Sequence, residues 1–173
     1  FKWTRETGFS LLATPAGYDQ ARAYTVSHDG SIISGRADST GLGPLIARWD
    51  AAGSPSIIGL SGPVSWHYAL AGTSDGQMLV GQAGVWTLQS AKPVLWTAAD
   101  GFRILGEPVG GVVPNGTAYG ISADGSVIAG DIDGFGCFAW TSATGYRKLA
   151  SLPQVTSWDP TAVSADGSTI RSE

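Results

Sequence analysis

Around four tryptophans, Trp3, Trp49, Trp96 and Trp140, the chain alternates in a way that fits a strand buried on one face. Two positions earlier stand Phe1, Ala47, Val94 and Phe138, all apolar, while Lys2, Arg48, Leu95 and Ala139 between them are mixed. That period of two predicts a β-strand at each tryptophan, with the indole on the covered face. Runs such as Ser31 to Gly35, Gln77 to Gly81 and Ser126 to Gly130 have β-branched or aliphatic centres and read as further strands. No stretch shows the 3.6-residue recurrence of an amphipathic helix, so almost no helix is expected.

Asp-Gly pairs punctuate these runs at Asp29-Gly30, Asp75-Gly76, Asp124-Gly125 and Asp166-Gly167. Such a pair suits a tight hairpin, because glycine accepts a positive φ and the aspartate side chain bonds nearby amides. From each tryptophan to the next of these aspartates the distances are 26, 26, 28 and 26 residues. From each aspartate to the next tryptophan they are 20, 21 and 16, a period near 46 that suits propeller blades. Glycine turns follow the tryptophans at Gly8, Gly53, Gly101 and Gly145, and lead into strands ending near Leu12, Leu60, Leu105 and Leu149.

Each unit therefore reads as four strands: one before Asp-Gly, one after it, the tryptophan strand and a closing strand. The expected fold is an all-β propeller of four four-stranded blades in one domain. Complete blades fall at 23–60, 68–105 and 118–149. Two strands at the start (1–12) and two at the end (162–171) would pair into a composite fourth blade and remove the open edges. A slice of a longer array, or two chains forming an eight-bladed ring, are the rival arrangements.

The segment Ile121-Ser122-Ala123-Asp124-Gly125-Ser126-Val127-Ile128-Ala129-Gly130, followed by Phe138-Ala139-Trp140-Thr141, resembles the HAF repeat of bacterial extracellular proteins. The resemblance runs over nearly the whole chain. It departs at Asp50, where the other three units have threonine, and at Ser74-Asp75-Gly76, which reads as one residue short. It implies a secreted or cell-surface protein, bacterial in origin, and no defined activity. The unit is also similar to a WD40 blade, with Trp49-Asp50 matching the namesake dipeptide once, and this bears on architecture only.

Composition narrows the function classes. Hydrophobic residues make up 43% of the 173 and charged residues 14%, which fits a packed domain rather than a solvated polymer. The 25 glycines follow no collagen-like period. A net charge of −4, with ten basic residues scattered singly, argues against nucleic acid as a partner. No apolar run approaches the roughly 20 residues of a membrane helix, so no membrane insertion is expected. The chain opens at Phe1 rather than Met, which reads as a processed or trimmed product. Cys137, the one cysteine, lies in an apolar stretch and reads as a buried, inert thiol.

Candidate chemistry is sparse. The Asp-Gly aspartates would stand well apart around one rim, too far for paired acid–base work. The only histidines, His28 and His67, accompany no nucleophile elbow and cannot build a zinc site with one cysteine. Asp131-Ile132-Asp133-Gly134 has calcium-like spacing, which makes Asp131 and Asp133 the candidate metal residues, although an acidic turn is the simpler reading. No cofactor is required, and a calcium ion or a channel cation stays compatible with the sequence. The loops entering each first strand vary most, and binding residues concentrate on such loops. They carry Tyr18 and Gln20, Trp66-His67-Tyr68, Asn115, and Trp158-Asp159. Tyr18, Trp66, His67, Tyr68, Trp158 and Asp159 are accordingly the candidate ligand residues, suited to a carbohydrate or a protein or peptide chain. Trp86 is likewise off the repeat pattern. The expected function is a non-catalytic binding module. Self-association into a larger ring or filament is the alternative, and a glycan-active enzyme is the least expected class.

Overall fold

The computed structural model describes residues 1–40, 42–59, 65–85, 90–106, 115–150 and 159–172. Among them there are strands and no helix. A two-stranded sheet, β1 (Lys2–Thr4) and β2 (Gly8–Ser10), comes first. Three antiparallel four-stranded sheets follow in simple meander order. The first holds β3 (Gln20–Val26), β4 (Ile33–Ser39), β5 (Leu42–Trp49) and β6 (Pro55–Ile57). The second holds β7 (Trp66–Gly72), β8 (Met78–Val85), β9 (Ser90–Thr97) and β10 (Gly101–Ile104). The third holds β11 (Gly116–Ile121), β12 (Ile128–Ile132), β13 (Gly136–Thr141) and β14 (Gly145–Lys148). A second two-stranded sheet, β15 (Pro160–Val163) and β16 (Ile170–Ser172), ends the row.

The first strands converge, β3 against β7, β7 against β11 and β11 against β15, so the sheets fan outward as blades. The core is divided among the gaps between them. Trp49, Ile33, Ala37 and Ala47 pack with Leu12 and Tyr18 in one gap. Ile46, Ala69, Leu79 and Trp96 fill the next. Val80, Leu95, Ile128, Phe138 and Trp140 belong to the largest cluster.

All four Asp-Gly turns are built alike. Ser27, Thr73, Ser122 and Ser164 donate their hydroxyls to the aspartate two residues on, at 2.7, 2.6, 2.7 and 2.6 Å. Each aspartate also accepts the amide two residues further, from Ser31, Gln77, Ser126 and Ser168. The turn glycines have φ between +67° and +78°. Thr73 holds the serine's place, so the second unit is not short. Asp50 likewise does the work of the threonines it replaces: it accepts the Ser54 amide at 2.8 Å, as Thr97 and Thr141 accept those of Asp100 and Thr144.

The turns also bond to one another. The His28 amide donates to the Ser74 carbonyl (2.7 Å), Ser74 to Ala123 (3.1 Å) and Ala123 to Ala165 (3.0 Å). Side chains follow the same route, with Ile32 lying over Gly76 and Val127 over Gly167. Within each turn, the hydrogen bonds to the aspartate hold the Asp29, Asp124 and Asp166 carboxyls at about 2, below their ordinary 3.8; the leading donors are Ser27, the Ser126 amide and Ser164. Thr73 foremost lowers Asp75 too. A carboxyl depressed in the folded state stabilises it above the unfolded value and ceases to do so as pH falls toward the folded value. The urea midpoint is therefore expected to fall steadily from about pH 4 to about pH 2. A midpoint that stays level across that window would show that the turns contribute nothing to stability.

At the ends the structure departs from the sequence reading. Among the described residues β1–β2 and β15–β16 are separate sheets, and no strand pairing joins them into a composite blade. Trp3, expected on a covered face, is 60% exposed, and Phe1 and Phe9 are 76% and 75% exposed. Trp49, Trp96 and Trp140 are buried at 1%, 8% and 8%. The difference is what lies beside each strand: β1 has a partner on one edge only.

Candidate binding face

At the rim opposite the Asp-Gly turns, one layer of polar side chains crosses the blades. Its members stand seven residues before and seven after each turn aspartate, and they face each other across the first two strands: Arg22 with Arg36, Tyr68 with Gln82, Thr117 with Asp131. Asp159 holds the corresponding place before β15. The second-strand member of each blade reaches the first-strand member of the next. The Arg36 guanidinium lies 5.6 Å from the Tyr68 ring centroid. Gln82 donates from Nε2 to Thr117 Oγ1 at 2.8 Å while its Oε1 accepts the Tyr68 hydroxyl at 2.7 Å.

The charge changes sign along this layer. At one end Arg22 and Arg36 stand side by side, and Arg36 Nε donates to Asp38 at 3.0 Å. The exposed Arg22 guanidinium has no hydrogen bond or ion pair among the described residues. Both arginines line a polar recess of about 280 Å³ together with Asp19, Gln20 and Thr40. At the other end burial, then the Asp159 and Asp133 charges, push the Asp131 carboxyl above its usual range. Asp131 Oδ1 is enclosed and without a hydrogen-bond partner.

The residues singled out by sequence fall into three groups. Tyr68 is half-buried in the middle of the layer, its hydroxyl pushed upward mainly by burial. Asp159 is exposed at the acidic end. Trp66 and His67 sit behind the layer. The Trp66 ring stacks on Tyr68 at 5.8 Å and crosses Gly84, where a Cβ would meet it at 2.6 Å. His67 is fully buried; its Nδ1 accepts the Ile46 amide at 3.1 Å, tying β7 to β5. Burial, weakly opposed by the Gly59 and His67 backbone groups, lowers the imidazole to about 4, so the ring is neutral. Among the described residues its Nε2 makes no well-formed hydrogen bond, and its ring packs on Phe102 at 4.2 Å. In this arrangement His67 braces two blades and does not reach a surface. Tyr18 packs into the gap around Trp49. Asn115 is likewise a brace, accepting the Ala91 amide on its side chain and the Asp133 amide on its carbonyl. Trp158 and Trp86 lie outside the described residues.

Asp133 is exposed beyond the end of β12, and the charge that raises Asp131 most is that of Asp159, ahead of Asp133. Among the described residues no three His, Cys, Asp or Glu side chains converge as a metal site. Cys137 is buried, and burial raises its thiol. Arg22, Arg36, Gln82 and Thr117 escaped the sequence reading, although their fixed seven-residue offset from the turn aspartates was available to it.

No protein-family model and no curated protein matches this chain. Solved structures do. A putative TolB from Agrobacterium tumefaciens aligns with a TM-score of 0.61 at 20% identity, over 88% of this chain and 53% of the other. TolB from Acinetobacter baumannii aligns at 0.55 and 18%, over 92% and 40%. The chain thus has a propeller-like repeat fold and spans about half the length of the structures it matches.

Proposed function

We propose that this chain is a non-catalytic interaction module that binds a peptide segment of a protein partner across the layer from Arg22 to Asp159. The observation behind this reading is the Arg22 guanidinium, without a partner among the described residues, beside Arg36 and at the edge of a polar recess. A paired guanidinium face suits a carboxylate, which Arg can hold through two parallel hydrogen bonds. Tyr68 offers an aromatic surface next to it, and Asp131 with Asp159 supplies the opposite charge further along. A ligand with an acidic group at one end and a basic group at the other is therefore oriented by the face as well as held. The HAF-like repeats support an extracellular or cell-surface location. Among the described residues no helix is long and apolar enough to cross a membrane.

The test is a set of acetylated peptides carrying glutamate and lysine at graded separations, titrated against the protein by calorimetry. Arg22→Ala is expected to weaken the best peptide about tenfold, as loss of a charge-assisted contact does, with the effect shrinking at high salt; Tyr68→Ala is expected to weaken it by a similar factor through lost aromatic contact, with little dependence on salt. Peptide affinities unchanged by Arg22→Ala would sink this reading. Binding of neutral oligosaccharides that depends on Tyr68 and ignores Arg22 would replace the peptide with a glycan.

A further inference from the structure

We propose that Asp133-Gly134 is a modification site, at which the aspartate of the folded protein rearranges to isoaspartate while the repeat Asp-Gly turns resist the same chemistry. Besides the four repeat turns, Asp-Gly occurs twice more in the chain, at Asp100-Gly101 and Asp133-Gly134. Glycine favours this rearrangement in any aspartate that it follows, because no Cβ shields its amide nitrogen. Local structure then decides which pair reacts.

Two groups must be available together. The glycine amide nitrogen attacks Cγ of the neutral carboxyl, a C–N bond forms, and the carboxyl hydroxyl leaves with the amide proton as water. The resulting succinimide takes water back at either carbonyl. Addition at Cγ restores aspartate. Addition at the main-chain carbon leaves the chain running through Cβ and Cγ, with the former main-chain carbon as a free carboxylate. Water is the only co-reactant.

In the repeat turns both groups are occupied. The amides of Gly30, Gly76, Gly125 and Gly167 donate to the carbonyls of Ser27, Thr73, Ser122 and Ser164 at 2.9, 2.9, 3.0 and 2.9 Å. The hydroxyls of the same four residues hold the carboxyls. Asp29, Asp124 and Asp166, held at about 2, also spend less time as the neutral acid. Asp100 is an intermediate case, its carboxyl accepting the Thr97 hydroxyl at 3.2 Å. Asn115-Gly116 could close the same ring with loss of ammonia. There, however, Asn115 Oδ1 accepts the Ala91 amide at 3.2 Å, and Gly116 is buried and paired with Ile132 in the sheet.

Asp133 differs on each count. It is exposed, with Gly134, in a turn closed by the Phe135 amide on the Ile132 carbonyl at 3.0 Å. Among the described residues its carboxyl accepts no hydrogen bond and the Gly134 amide donates none. Gly134 has φ +75°, and nothing lies within 4 Å of where a Cβ would stand, so the carboxyl has room to swing onto the amide. The product adds a methylene to the main chain between β12 and β13 and moves a charge that acts on Asp131.

The full chain is kept warm at mildly acidic pH, once folded and once in urea. Isoaspartate at each Asp-Gly pair is then quantified by electron-transfer fragmentation of its peptides. Dividing each folded rate by the rate of the same pair in urea removes the influence of neighbouring residues. That ratio is expected to be at least about tenfold higher at Asp133 than at Asp29, Asp75, Asp124 or Asp166, because those turns must open and lose their hydrogen bonds first. Asp100 is expected between them. Gly134→Ala should slow Asp133 several-fold and leave the other pairs unchanged, since a methyl group then stands beside the attacking nitrogen. Circular dichroism checks that the chains stay folded throughout. A ratio at Asp133 no higher than at the repeat turns overturns the proposal, as does isoaspartate at Asp133 that forms only in urea.

Discussion

Gly130→Ala is expected to destabilise the chain by about 3 kcal/mol, which for a domain of this size lowers the unfolding temperature by roughly 6–12 °C. Gly130, in the middle of β12, faces Ala118, after which β11 carries one extra residue, Tyr119, in a bulge. The bulge turns the Thr117 carbonyl toward Gly130, so that an added Cβ falls well inside contact distance of backbone atoms. The Phe138 ring tip also comes within 2.8 Å and could shift, but the Thr117 carbonyl and Ala118 Cα are backbone of the paired strand and cannot swing aside. Gly35 and Gly81 stand in the same relation to Arg22 and Tyr68, opposite bulges at Tyr24 and Leu70. Gly134→Ala is the control, since Gly134 has φ +75° but open space around it, and should cost only about 1 kcal/mol. Thermal unfolding followed by circular dichroism compares the two. If Gly130→Ala melts no lower than Gly134→Ala, backbone approach is not what requires glycine there.

Trp49→Ala is expected to cost about 3–5 kcal/mol, the range for emptying a large aromatic from a packed core. Trp49 is 1% exposed and lies among Ile33, Ala37, Ala47, Leu12 and Tyr18, so its removal opens the first gap between blades. Its Nε1 donates to the Ala13 carbonyl at 2.7 Å, which fixes the segment leading from β2 to β3. Trp49→Phe should retain most of the packing and lose about 1 kcal/mol for that hydrogen bond. Trp3→Ala removes the same residue type from the same repeat position, yet should leave the isolated chain within about 0.5 kcal/mol, because the indole is exposed. Urea titrations of the three variants decide it, and equal losses for Trp49→Ala and Trp3→Ala would contradict the packing assigned to the two ends.

The strands and their order were legible because each turn carries its own chemistry. An Asp-Gly pair with a hydroxyl two residues earlier specifies the same hairpin wherever it occurs, so counting such turns locates the blades. Closure was not legible in that way. Whether β1 meets β16 depends on the curvature accumulated over every gap, and no single strand encodes it. The site was harder still. Trp66 and His67 attracted notice by residue type, but type does not say which face of a strand a side chain occupies. The bulge at Leu70 makes this worse, since one extra residue shifts the alternation that period-two reasoning relies on. Arg22, Arg36 and Gln82 look like ordinary polar residues until they are aligned on the turn aspartates, when their common place becomes visible.

The bonds that run from turn to turn are made by the backbone of His28, Ser74, Ala123 and Ala165, positions whose side chains differ from turn to turn. A unit copied by gene duplication, or moved in from a related array, therefore brings its connector with it and needs no matching mutation next door. Arrays of this kind can lengthen in a single genetic step and diverge afterwards. The layer at the opposite rim follows another rule. There each junction is a meeting of particular side chains, arginine on tyrosine or glutamine on threonine, and a newly inserted copy would break the sequence of contacts it enters. One rim thus lets the number of blades change, while the other records which blades have lived side by side.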